Sequence, residues 1–66
     1  MDGAKRLRAK RFELQLSGAA AARRLGISRS WYWQIENGGR KPGRDVLLSI
    51  SRVFGVPAEA WAEDAA

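Results

Sequence analysis

Between two helical stretches, Gly18–Leu25 and Ser28–Asn37, only Gly26 and Ile27 are left to turn the chain. A connection that short presses two steeply crossing helices into contact, and the local residues suit this arrangement. Ala22 offers a small side chain at the crossing, and Gly26 tolerates the positive φ that ends the first helix. Ile27, Tyr32 and Ile35 supply apolar anchors on the second helix. Ser17 and Ser28 each stand where an N-cap is needed, and the run Ala19–Ala22 favours helix. With those anchors turned inward, Arg29, Ser30, Trp33 and Gln34 project from the second helix.

The rest of the chain divides at its glycines and prolines. Ala4–Gln15 reads as a solvated first helix with a thin apolar stripe at Leu7 and Leu14. Asn37–Gly38–Gly39 stops the third helix, and Arg40–Lys41–Pro42–Gly43 reads as an ordered basic loop. Asp45–Phe54 carries Val46, Leu47, Ile50, Val53 and Phe54 at helical spacing, and Gly55 closes it. Pro57 opens a last short helix bearing Trp61, and residues 64–66 are expected to fray. No strand pattern, repeat or low-complexity segment interrupts these five helical stretches. The expected fold is all-α, in one domain spanning 1–66.

Composition narrows the chemistry. Sixty-six residues hold only a small core, and with no Cys and no His neither a disulfide nor an ordinary zinc site supports it. The same absences remove the thiolate nucleophile and the imidazole base, leaving Ser, Lys and carboxylates, so no enzyme is expected. No cofactor, metal or small-molecule site is evident. No apolar run approaches the roughly 18 residues of a membrane span, and Met1–Leu14 is too charged for a secretory signal. A soluble, cytoplasmic protein without membrane association is expected.

Charge is distributed unevenly along the chain. From Lys5 to Arg44 eleven basic residues face only Glu13 and Glu36, a net of +9. From Asp45 onward Arg52 faces Asp45, Glu59, Glu63 and Asp64, a net of −3. That asymmetry fits one face built for a polyanion and an opposite end turned away from it; the plainer reading is a solvated surface. Charge alone does not separate DNA from RNA or an acidic membrane.

Taken together, the residues resemble the phage-repressor/Cro-like (Xre-like) helix-turn-helix family over about Ala4 to Trp61. The resemblance rests on Leu7–Arg8, Arg11, Leu16–Ser17, Ala22, Leu25–Gly26, Ser28–Arg29–Ser30 and Ile35–Glu36. It continues through Gly38, Arg40–Lys41–Pro42, Leu47, Ile50 and Phe54–Gly55–Val56. The resemblance implies a compact bundle of five helices, a lambda-repressor-like DNA-binding domain with its helix-turn-helix at about 18–37. It also implies sequence-specific binding of a homodimer to a palindromic duplex operator, to repress or otherwise regulate transcription. The chain would then work at the nucleoid of a prokaryotic or phage-infected cell. Its control would come from concentration, operator arrangement or a regulatory protein partner.

By the same resemblance Ser28–Asn37 is the recognition helix. Arg29, Ser30, Trp33 and Gln34 would contact bases, Arg29 through the two acceptors of guanine and Gln34 through adenine. Ser17, the Gly18 and Ala19 amides, Trp31, Asn37, Arg40, Lys41 and Arg44 would contact phosphates. Arg11 and Glu36 would form an internal ion pair between the first and third helices.

The chain departs from the family at Gly18, where a Gln commonly braces the recognition helix, and at Ala21 and Lys10, where larger apolar residues are usual. Tyr32 stands in for a smaller anchor and is expected to refill the space left by Ala21. Trp31–Tyr32–Trp33 span too wide an arc for all three to face one core. If Tyr32 is inside, Trp31 and Trp33 flank it, against sugar–phosphate, against bases, or as a protein-binding patch. That patch is the basis of a second reading, a protein-interaction module or adaptor on the same scaffold.

Overall fold

The structure, a computed structural model, describes the backbone of residues 2–65 and the side chains of residues 3–61. Four α-helices follow one another: α1 (Asp2–Glu13), α2 (Gly18–Leu25), α3 (Arg29–Glu36) and α4 (Arg44–Phe54). The fifth element, Ala58–Ala65, is a 3-10 helix rather than an α-helix. Fraying at 64–66 concerns side chains outside the described residues, and Ala66 lies outside them altogether.

Local chemistry accounts for most boundaries. The Ser17 hydroxyl accepts the Ala20 N–H at 3.1 Å and the Ser28 hydroxyl accepts the Trp31 N–H at 3.0 Å, capping α2 and α3. Gly26 (φ 72°) and Gly55 (φ 71°) end α2 and α4 in the left-handed region, where a side chain would be strained. The first helix is shifted from its expected span. It begins at Asp2 and ends at Glu13, and Gln15 takes a left-handed turn at φ 56° that its residue type does not announce. Leu14 therefore falls beyond the helix and is exposed, and the buried stripe of α1 is Ala4 and Leu7 instead.

All the elements share one core. Leu7, Ala21, Ala22, Leu25, Tyr32, Ile35, Val46, Ile50, Phe54, Val56 and Trp61 are buried in it, with Leu16, Ile27, Trp31 and Leu47 packed at its margin. Ala21 and Tyr32 are both buried in this core. The closest approach of backbone to side chain is at Gly3. A Cβ there would come within 2.2–2.6 Å of the Trp61 ring, so the fully buried indole seats directly on the α1 backbone.

A polar network joins α1 to α3. Arg11 donates from Nε to Glu36 Oε2 at 2.8 Å and from Nη2 to Oε1 at 2.9 Å, a bidentate pair. Its Nη1 donates to the Leu16 carbonyl at 3.1 Å, and the Tyr32 hydroxyl donates to Glu36 Oε2 at 2.6 Å. Arg8 Nε stands 4.0 Å from the same carboxylate. Burial alone would raise the Glu36 pKa. The hydrogen bonds from Arg11 and then Tyr32 outweigh it and hold the carboxyl below its ordinary value. Burial, and then the bond to Glu36, pushes the Tyr32 phenol up, so it stays a donor. The bond to Glu36 raises Arg11.

Two outcomes follow for stability. Gly3→Ala drives a methyl into the Trp61 ring and is expected to lower stability by about 1–3 kcal/mol in thermal denaturation. Glu36→Gln removes the charge from the network and is expected to cost about 1–3 kcal/mol at neutral pH. Because the folded carboxyl titrates below the unfolded value of 4.5, its contribution is present above that pH and lost as pH falls through the folded value. Denaturation of both proteins across pH should therefore show the gap narrowing below about 4.5. A gap that is constant with pH contradicts this role for the charge.

Candidate nucleic-acid interface

The helical period sets which residues of α3 face outward. At about 100° per residue, Tyr32 and Ile35 define the inward direction. Ser30, Trp33 and Asn37 then lie opposite, Arg29 and Gln34 beside them, and Trp31 and Glu36 on the two flanks. The burial pattern matches. Arg29, Ser30 and Asn37 are exposed, Trp33 is 65% exposed, and Gln34 is half-buried. Trp31, only two residues from Trp33, is half-buried against the core margin. The three aromatics thus divide into one core residue, one marginal residue and one surface residue.

A cleft of about 610 Å³ opens beside this face. Ser17, Gly18 and Ala19 of the α2 start line it, with Arg29, Ser30 and Trp33 of α3, and the Arg11, Tyr32 and Glu36 network closes it. Two helix N-termini therefore meet at one place. Ser17 caps the Ala20 amide and Ser28 caps the Trp31 amide, leaving the N–H groups of Gly18, Ala19, Arg29 and Ser30 unspent among the described residues. Neither α2 nor α3 has an acidic residue in its first turn, whereas α4 has Asp45 there. The positive ends of the two dipoles are thus left uncompensated, an arrangement suited to an anion. The carboxylate at the cleft, Glu36, is matched by Arg11. A Cβ at Gly18 would meet nothing within 4 Å, so the space a longer side chain would occupy at this position is open.

Three further basic residues follow α3 in the chain. Arg40, Lys41 and Arg44 are exposed around the loop between α3 and α4, and Pro42 is buried beneath it. The loop is tied to the end of α3: the Gln34 carbonyl accepts from the amides of Gly39 at 2.8 Å and Arg40 at 3.2 Å. Asn37 is partly occupied, its side-chain amide donating to the Trp33 carbonyl at 2.9 Å. The Arg40 guanidinium lies over the Trp31 ring, 4.9 Å from its centre.

The structure thus gathers Ser17, Gly18, Ala19, Arg29, Ser30 and Trp33 at one cleft, with Gln34, Asn37, Arg40, Lys41 and Arg44 continuing around the end of α3. Arg11 and Glu36 are brought together at its back wall, as a bidentate pair. Sequence reasoning missed two contacts. Tyr32 and Glu36 stand four apart on one helix, the spacing that announces a side-chain pair. The stacking of Arg40 on Trp31 joins residues nine apart through a loop, and no local periodicity announces it.

Among the described residues no group of His, Cys, Asp or Glu is arranged to hold a metal ion, and no helix is long and apolar enough to cross a membrane. No curated protein and no solved structure matches the chain. One protein family does, that of the helix-turn-helix domain, over residues 4–63. That span takes in α2, α3 and α4 whole, most of the first and last elements and all the residues of the cleft, and the chain belongs to this helix-turn-helix family of DNA-binding domains.

Proposed function

We propose that this protein is a transcriptional regulator of the phage-repressor/Cro-like type, a repressor that binds a palindromic duplex operator as a homodimer. The observation that carries the reading is the meeting of two uncompensated helix N-termini at one open cleft, beside an outward face of α3 bearing Arg29, Ser30, Trp33 and Gln34. In this reading α3 enters the major groove. Arg29 reads guanine, Gln34 reads adenine, Ser30 adapts to either, and Trp33 packs on a thymine methyl or sugar.

The backbone contacts lie on both sides of the groove. Ser17 and the amides of Gly18 and Ala19 receive one phosphate, and Asn37, Arg40, Lys41 and Arg44 grip the strand beyond. Arg11 and Glu36 take no part in contact and hold α3 at its angle to α1. Two copies on one DNA face place their recognition helices about 34 Å apart, one helical turn.

The 65% exposure of Trp33 favours a second reading, a protein-interaction module that uses this aromatic surface. Arg29→Ala combined with Gln34→Ala separates the two. On the DNA reading, the paired change leaves the melting temperature near that of the parent and removes sequence preference, with about 1–3 kcal/mol of discrimination lost for Arg29 alone. Undisturbed function supports the second. Duplex affinity is further expected to fall on the order of 10³-fold between 50 and 200 mM salt, measured by titration. A flat salt response contradicts the phosphate contacts.

A further inference from the structure

Resting on the reading of Arg40 as a backbone contact, we propose that Trp31 is a positioning residue for DNA binding. Its indole face holds the Arg40 guanidinium in the orientation that meets a phosphate, and Trp31 itself does not touch the duplex. Three observations converge on this. Trp31 packs against the core margin, and its indole N–H is enclosed without an acceptor among the described residues, so its polar edge is not offered to an anion. The ring thus presents an apolar face to the loop, and Arg40 lies over it at 4.9 Å. The Arg40 backbone is already pinned to α3 through the Gln34 carbonyl, and Gly38 makes the return turn at φ 78°.

Stacking spends the face of a guanidinium and leaves its N–H donors free at the edge. No carboxylate pairs with Arg40 among the described residues, so those donors remain available for a bidentate phosphate contact. A long side chain on a loop ordinarily loses much rotamer freedom when it binds. Fixed on the ring beforehand, Arg40 loses less. Neither Lys41 nor Arg44 has a comparable aromatic support among the described residues.

The test uses the 66-residue chain and a labelled mixed-sequence duplex of about 20 base pairs, titrated between about 50 and 200 mM salt, where phosphate contacts dominate. Arg40→Ala is expected to weaken binding about fivefold and to lower the salt slope by about 0.9. Trp31→Leu is expected to weaken it about two- to fivefold, and Trp31→Phe, which keeps an aromatic face, to stay within about twofold of the parent. The double variant Trp31→Leu/Arg40→Ala should bind no more weakly than Arg40→Ala alone.

The failures are distinguishable. A parent chain that ignores the duplex overturns the DNA-binding reading and this inference with it. An unchanged Arg40→Ala overturns the phosphate role of Arg40 and the inference together. A weakened Arg40→Ala beside a Trp31→Leu that folds and binds like the parent overturns the inference alone, as do additive losses in the double variant. Should Trp31→Leu fail to fold, NMR of the parent decides. Ring-current shifts of the Arg40 δ-methylene protons, retained on the duplex, support the stack, and random-coil positions overturn it.

Discussion

The bidentate pair between Arg11 and Glu36 is the constraint on which the arrangement of this protein depends. It joins α1 to α3 through two hydrogen bonds, and it is completed at both ends: the Leu16 carbonyl takes a third Arg11 donor and the Tyr32 hydroxyl shares the carboxylate. Apolar packing of Tyr32 and Ile35 fixes how deep α3 sits, but such packing is weakly directional. The hydrogen-bonded pair adds direction, because both geometry and charge are satisfied at only one rotation of α3 about its axis. The outward face of α3 follows from that rotation.

Electrostatics divides the surface in the same way. The acids that matter near the cleft are either absent from the first turns of α2 and α3 or, as with Glu36, matched by a partner. Asp45 at the start of α4 compensates a helix end that lies away from the cleft. Gly18, without a side chain, leaves volume open at the point where the two helix starts meet. The Arg11–Glu36 network beside it holds α3 against α1.

Much of the fold was legible in the sequence because its punctuation has strong local chemistry. Ser17, Gly26, Ser28 and Gly55 each perform a capping role that few other residues can, and helix boundaries fall beside them. Where no such residue stands, the reading slipped. The α1 end depends on a left-handed Gln15 in a local closing turn, with the Leu16 N–H donating to the Arg11 carbonyl at 3.0 Å; its residue type does not announce that conformation, and Leu14 was accordingly misplaced inward. The last element offers Pro57 and Trp61 but nothing that separates an α-helix from a 3-10 helix, and the buried Trp61 against Gly3 decides its position. In the candidate site the outward residues of α3 followed from helical period alone. The covering of Trp31 by Arg40 did not, because it hangs on a loop that folds back over that ring.

In the proposed function, α3 reads sequence in duplex DNA as one half of a symmetric pair. Selection of bound duplexes from a random pool by the purified chain tests it most directly. Enrichment of a palindrome whose half-site centres lie about 10–10.5 base pairs apart is expected. A folded chain that enriches no sequence contradicts it.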